Sequence, residues 1–395
     1  MYMAYHVLLL SEIPQAGLKI FNDSYIVQRA WEDPDAILVR SNLVDTDKYK
    51  HLLAVARAGA GVDTITVERA TERGICVFNA PGANANAVAE LVFIMLGHYA
   101  RRIAPAFEFI RSLADFKGTA EEMHTHIENG KSHFNGFELD EKTLGIIGLG
   151  NIGVRVANRG LEYRMHVVGY DSLPTLANMH RLDARVLIAS RLEEVVSCAD
   201  ILSVHVPLLS TTRNLIGEKE LSLVKPGVIL MNYARSGIYN DDAVCSAIDK
   251  GIVRAYLTDF PTPALVQNKN VICTPHLGAS TAESSEKSTL MAAECLRNYL
   301  SYGIVAHSVN FPTVEVMPRR STKTRLAVVN RDIPKMIGKI TRTLGAFGVN
   351  IQSMKNESNG TIGYNIIDLD VSISDDVVTM LKRIKNVLRV RKICF

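Results

Sequence analysis

The run Gly148-Leu149-Gly150-Asn151-Ile152-Gly153 leaves this chain few choices of fold. It lies between an apolar stretch, Thr143 to Ile147, and a helix-compatible segment, and the next apolar strand, His166 to Tyr170, ends on Asp171. Strand, glycine turn, helix and a second strand closed by an acid form the dinucleotide-binding pattern of a doubly wound sheet. Gly148 permits the tight turn, Gly150 lets the backbone approach a pyrophosphate, and Gly153 lets helix and strand pack closely. The free amides where the helix begins, at Asn151 and Ile152, face the phosphates. Asp171 is placed to accept hydrogen bonds from the ribose hydroxyls and to repel a 2′-phosphate, so the cofactor expected is NAD rather than NADP. A glycine turn without a ligand is the competing reading, and the agreement of all four features weighs against it.

A chain of 395 residues has room for two or three domains, and 47% apolar with 22% charged residues describes an ordinary globular protein with a large core. A net charge of +3 with no long Lys/Arg block argues against nucleic acid or an anionic membrane as the main partner. The six cysteines are scattered without CxxC spacing, which fits buried reduced thiols and gives no metal site. Val7 to Leu10 is too short for a signal sequence and no run reaches a membrane span, so a cytoplasmic location is expected.

Short apolar strands alternate with helical segments from the start: Val7–Leu10, Ala36–Val39, Ala54–Ala58 and Cys76–Asn79. After the glycine run the rhythm resumes with Ile201–Val206, Val228–Tyr233, Arg254–Thr258 and Val271–Thr274. Such alternation predicts α/β architecture with two doubly wound parallel-sheet, Rossmann-like domains. The helical stretches Ala87–Arg102 and Ala282–Tyr302 are the expected crossings, which makes the first domain discontinuous. Boundaries follow at 1–95 with 283–312 for a substrate-binding domain, 96–282 for the NAD-binding domain, and 313–323 for a proline-bearing basic linker. Residues 324–395 then read as a small βαββαβ α+β domain.

Two side chains stand where open α/β sheets bind ligands, beyond the carboxyl ends of strands. Val228–Tyr233 runs into Ala234-Arg235, and a guanidinium there can hold a carboxylate bidentately; its bland alternative is a surface ion pair. Val271–Thr274 delivers Pro275-His276-Leu277-Gly278, and an imidazole in that place can exchange a hydroxyl proton near neutral pH, although a lone histidine is more often structural. In the first domain Arg40 ends one strand, and Arg57 precedes the turn Gly59-Ala60-Gly61 at the end of another. Glycine-turn amides suit a carboxylate, and two arginines offer more positive charge than a plain hydroxy acid needs, which favours a phosphate. Solvated arginines are the competing reading there.

These residues resemble the D-2-hydroxyacid dehydrogenase family, and within it the branch that acts on phosphoglycerate. The resemblance covers nearly the whole chain and rests on Arg57-Ala-Gly-Ala-Gly-Val-Asp63, on the glycine run, on Val204-His205-Val206-Pro207-Leu208 followed by Thr211-Thr212, on Asn232-Tyr-Ala-Arg235, and on Pro275-His-Leu-Gly-Ala-Ser-Thr281. It implies NAD-dependent oxidation of 3-phospho-D-glycerate to 3-phosphohydroxypyruvate, the opening step of L-serine biosynthesis, in a homodimer or homotetramer. Arg235 becomes the carboxylate and carbonyl anchor, His276 the acid/base, and Asp259 a contact of the nicotinamide carboxamide. His205, Pro207 and Thr212 fall along the cofactor, and the backbone of Tyr233, Ala234, Gly278 and Ala279 falls near its nicotinamide. Lys131 matches a further basic substrate contact.

One departure stands out. The family carries a glutamate shortly after the residue matching Asp259, as partner of the catalytic histidine, and this chain has no acid between Asp259 and Glu283. Either Asp259 or another side chain substitutes, or the histidine works unassisted, or the chain is a weak enzyme. The tail resembles an ACT domain, the amino-acid-sensing module of some phosphoglycerate dehydrogenases, which implies L-serine as an effector. Asn330, Asp332 and Asn350 match its effector pocket, with helix capping and turn formation as their bland alternative, and Lys335 stands where the module usually has glycine. Two other functions stay open: oxidation of a different D-2-hydroxy acid, or NAD(H) binding without turnover.

Overall fold

The computed structural model describes residues 4–395, which form two units: the chain up to Asn84 together with Thr281–Phe395, and Ala85–Ser280. In the first unit five parallel strands stand in the order Tyr25–Gln28, Tyr5–Leu9, Ala36–Val39, Ala54–Arg57 and Cys76–Phe78. A parallel sheet needs cover on both faces, which is why its inner strands read as continuous apolar runs. On one face Ile37, Val39, Val55 and Val77 pack with Ile65 and Ala70. The other face, with Leu38, Ala56 and Phe78, is closed by Ala292, Leu296, Tyr299 and Leu300 of the long helix Ala282–Tyr302. Thr281 caps that helix by accepting from the Ser284 amide, and Gly303 ends it at φ +69°.

The second unit is a seven-stranded parallel sheet in the order Val271–Cys273, Val253–Thr258, Val228–Asn232, Ile201–Val204, Thr143–Ile147, His166–Tyr170 and Leu187–Ile188. Strand order reverses between Thr143–Ile147 and Ile201–Val204, the topological switch point at which such sheets bind ligands. Helix Ala85–Ala100 lies with this sheet: Val88, Ala89, Val92, Phe93 and Leu96 share a core with Leu144 and Ile146. The units therefore divide before this helix, at Asn84/Ala85, and not at 95/96.

The tail forms a four-stranded antiparallel sheet in the order Ser353–Ser358, Ile362–Leu369, Thr324–Arg331 and Val387–Cys394, with helices Met336–Ala346 and Asp375–Lys382 on one face. Its two central strands are buried along nearly their whole length. Leu326, Val328, Ile367 and Leu369 meet the tail's own helices, whereas Ala327, Val329, Ile362, Tyr364 and Ile366 join the core of the first sheet and the long helix. Arg325 and Asp368, both nearly sealed from solvent, pair bidentately across the sheet at 2.6 and 2.8 Å. The other guanidinium nitrogen donates to the carbonyls of Tyr302 and Val316, so every strong polar group in this pocket is matched. Residues 313–323 are no loose linker, since Val314 is buried and bridges to Val305.

Candidate active site

The glycine turn has the shape its sequence requires. Gly148 adopts φ +93°, and a Cβ there would lie 2.7 Å from the carbonyl oxygen of His205; a Cβ on Gly153 would lie 1.8 Å from that of Gly148. Around Gly150 nothing comes within 4 Å of that position, which is the opening a pyrophosphate needs. The amides of Gly150, Asn151 and Ile152 meet no acceptor among the described residues, and the Asn151 side chain is held by Arg181 at 2.8 Å. Asp171 closes the turn from the neighbouring strand, accepting from the amides of Leu149 at 2.7 Å and Leu173 at 2.8 Å. Its carboxylate thus shapes the loop and still has lone pairs to offer a ribose. These residues fit a dinucleotide.

Across the switch point His205 continues the ladder, donating its amide to Ile147, and its Nε2 lies 2.9 Å from Ser203 Oγ. Burial pushes its pKa down to about 3, so the ring is neutral, and Nδ1 is enclosed without a partner. Thr212 folds the following loop, donating to the Pro207 carbonyl at 2.6 Å and accepting from the Leu209 amide.

On the next strand Asn232 sets the Arg235 turn. Its side chain accepts from the Ala234 amide at 3.1 Å and donates to the Arg235 carbonyl at 2.9 Å. Arg235 itself is half-buried; it donates to the Ala234 carbonyl at 2.7 Å and has no acid partner among the described residues. A partly desolvated guanidinium without a carboxylate is prepared for an external anion. Tyr233, between them, is buried with an unpartnered hydroxyl, and burial raises its pKa, with Asp259 adding to the effect.

His276 is exposed, in the left-handed conformation at φ +56°, with its ring against the edge of Phe260 at 5.1 Å. No hydrogen bond or ion pair to its imidazole occurs among the described residues. Asp259 is committed elsewhere. Buried beneath the loop, it accepts from Thr274 Oγ1 at 2.6 Å, the Leu277 amide at 2.8 Å and the Gly278 amide at 2.6 Å. It therefore holds the backbone that carries the histidine and does not replace the absent glutamate at the ring. Gly278 is tight, its Cβ position 3.1 Å from Asp259 Oδ2, and Ala279 follows with an amide that meets no acceptor among the described residues.

In the first unit Arg40 and Arg57 come together. The Arg57 Nε donates to the Arg40 carbonyl at 2.9 Å, and the Arg40 guanidinium donates to Ser285 in the first turn of the long helix at 2.8 Å. The turn beyond Arg57 is held from the next strand: Asn79 donates to the Ala60 carbonyl and the Ala80 amide to that of Gly59, and the amides of Ala60 and Gly61 meet no acceptor among the described residues.

Four further expected contacts have these surroundings. Lys131 belongs to the second unit, two-thirds exposed and ion-paired with Glu128 at the end of a surface helix. Asn330 is buried and spent on Asn365 and the Arg331 carbonyl, Asp332 is bonded to Ser358, and Asn350 is exposed. No hydrogen bond joins these three into a common pocket. Among the described residues no cluster of metal ligands occurs, and no helix is long and apolar enough to cross a membrane.

Residues 103–278 match the D-isomer specific 2-hydroxyacid dehydrogenase NAD-binding domain. A D-3-phosphoglycerate dehydrogenase of Haemophilus influenzae is 32% identical over 86% of this chain and 81% of its own length. The chain belongs to the D-2-hydroxyacid dehydrogenase family. A second D-3-phosphoglycerate dehydrogenase, from Methanocaldococcus jannaschii, is 35% identical over 72% of the chain, which spans about half of that relative, 53%. Among solved structures of the fold, a Thermus thermophilus protein superposes with a TM-score of 0.63 at 27% identity over 77% of this chain and 99% of its own. An NAD+-bound 3-phosphoglycerate dehydrogenase of Entamoeba histolytica gives 0.61 at 24% identity over 78% and 99%, a likeness of fold. The matched residues take in the glycine turn, the Arg235 turn and His276, and end at Gly278.

Proposed function

We propose that this chain oxidises 3-phospho-D-glycerate to 3-phosphohydroxypyruvate with NAD, the first step of L-serine biosynthesis, in the cytoplasm. The observation that carries the substrate class is the Arg40–Arg57 pair beside a glycine turn with open amides, a concentration of positive charge suited to a phosphorylated acid. NAD, held by the glycine turn, Asp171 and the loops of His205–Thr212 and Tyr233–Arg235, supplies the hydride acceptor. Arg235 anchors the carboxylate and polarises the carbonyl, and His276 takes up or returns the hydroxyl proton at its ring. Among the described residues no acid contacts the His276 ring, whose neighbour is the edge of Phe260. The helices Ile103–Ser112 and Ala120–Gly130 bury none of their residues in this chain, and Phe107 and Ile110 are 61% and 50% exposed, which supports a homodimer or larger assembly through that face. The tail's βαββαβ order supports an ACT-like module.

The test is NADH oxidation with phosphohydroxypyruvate against pyruvate, glyoxylate and 2-oxoglutarate, with phosphohydroxypyruvate expected to give the highest kcat/KM. Preference for an unphosphorylated acid would move the assignment elsewhere in the family. The unpartnered His276 favours one other reading, an NAD(H)-binding protein without turnover, whose mark is tight NADH binding with none of these acids reduced.

A further inference from the structure

The tail domain is fastened to the first sheet by buried and half-buried guanidiniums, and a half-buried one reaches the roots of the strands that end in the anion loop. Arg389, on the edge strand Val387–Cys394, donates to the Leu52 carbonyl at 2.7 Å and to the Arg73 carbonyl at 3.2 Å. Leu52 lies two residues before strand Ala54–Arg57, and Arg73 three residues before strand Cys76–Phe78. Those two strands pair directly, and the tip of the first makes the turn Gly59–Ala60–Gly61 while the tip of the second, through Asn79 and Ala80, holds that turn closed. Strands of three and four residues span only ~10–13 Å, and within a packed parallel sheet they shift as units.

The approach is as close as backbone allows. Gly74 turns at φ +63°, and a Cβ on it would lie 2.8 Å from the Cβ of Arg389. Beside it Arg391 donates to the carbonyls of Tyr299 and Leu300 with its guanidinium 4.6 Å over the Tyr299 ring, and Tyr364 donates to the Gly303 carbonyl at 2.7 Å. These close the C-terminal end of the helix whose first turn offers Ser285 to Arg40. The Arg391 guanidinium also faces the negative end of the helix dipole.

We infer that the tail domain is a fixed brace of the anion site, with Arg389 the positioning residue that sets the register of the Arg57 strand and of the strand closing its turn. The inference rests on the proposed phosphorylated substrate only for its kinetic readout. In the whole 395-residue chain, Arg389→Met keeps the packed stem and removes both donors, Arg389→Lys keeps one charged donor, and Gly74→Ala crowds the Arg389 Cβ and strains its own turn while leaving both donors in place. Arg389→Met should raise the KM for phosphohydroxypyruvate about threefold to thirtyfold, the span of couplings carried by packed elements, with NADH affinity unchanged. Arg389→Lys should fall between it and wild type. Hydrogen exchange read by mass spectrometry supplies a measure independent of substrate: amides of Ala56–Gly61 should exchange faster in Arg389→Met and Gly74→Ala. Faster exchange confined to Leu52–Ala54, with the turn and the KM unchanged, overturns the brace. If wild type does not turn over phosphohydroxypyruvate but turn exchange rises in the variants, the substrate assignment fails and the brace stands. Should Arg389→Met fail to fold, the same exchange and KM comparison on Arg389→Lys decides.

Discussion

The Gly278 amide rests 2.6 Å from the buried Asp259 carboxylate, so the loop that carries His276 is pinned by an acid that never touches the histidine ring. Three donors converge on this one side chain. An asparagine in its place keeps one acceptor oxygen and turns an NH2 toward an amide donor. Asp259→Asn should therefore lower kcat and stability together, by about 1.5–3 kcal/mol for each charge-assisted bond lost. The pH at which the reductive rate falls by half should stay where it is in wild type. A displaced midpoint in the reductive pH profile would show that the carboxylate acts on the imidazole itself.

Asp171 serves both the turn and the cofactor. Replacing it with alanine removes the acceptor of the Leu149 amide as well as the charge that would face a 2′-phosphate. Wild type should favour NADH over NADPH by at least about tenfold, or 1.4 kcal/mol, and Asp171→Ala should lose that preference while binding NADH more weakly. Fluorescence titration with both nucleotides checks this, and equal affinity of wild type for the two refutes the role.

For the arginines the expected signature is a split between binding constants. Arg40→Met frees Ser285, Arg57→Met frees the Arg40 carbonyl, and each should raise the KM for phosphohydroxypyruvate while leaving NADH affinity alone. Wild-type KM values in both variants would mean that neither guanidinium meets substrate.

Acid should weaken the fold through His205. With its folded pKa depressed to about 3, the unfolded chain binds a proton that the native one refuses as pH falls below about 6.5, so stability is complete above that pH and declines in acid. One such group contributes a slope of up to about 1.4 kcal/mol per pH unit between roughly pH 6 and 4. Denaturant midpoints measured across that range should fall less steeply in His205→Gln, and an unchanged slope would locate the acid sensitivity elsewhere.

Lys335 sits at φ +75° at the start of helix Met336–Ala346, a conformation that costs a residue with a Cβ about 1 kcal/mol or more. Lys335→Gly should stabilise the chain against denaturant by about 0.5–1 kcal/mol after the glycine's extra freedom when unfolded is counted. A loss of stability would mean that the lysine makes compensating contacts.

The parallel cores were legible because both faces of their inner strands are covered, so burial wrote itself into runs such as Val228–Asn232. The edges were not. Tyr25–Gln28 alternates weakly, Leu187–Ile188 is short and exposed, and Ser353–Ser358 is so polar that the preceding Val349 and Ile351 look like the better strand. The surface helices between Ile103 and Gly130 bury no residue, so no core periodicity marks them. In the site, the glycine turn could be read since Gly148 and Gly153 answer to backbone clashes and Gly150 to open space for a ligand. Asp259 was recognisable as important but not in its role, because its partners Thr274, Leu277 and Gly278 lie 15 to 19 residues away and become neighbours only through adjacent strands. For Lys131 the contact is local, an ion pair with Glu128 three residues before it.

The shared core of Leu38, Phe78, Leu296, Tyr299, Ala327 and Tyr364 also orders events in time. A ribosome releases the first strands long before the helix and the tail sheet that cover them, whereas Ala85–Ser280 has its full complement of partners as soon as it emerges. The middle of the chain can thus mature first, and the segment made earliest has to wait, apolar and half-clothed, for the last. During synthesis that opening stretch is the natural client of chaperones.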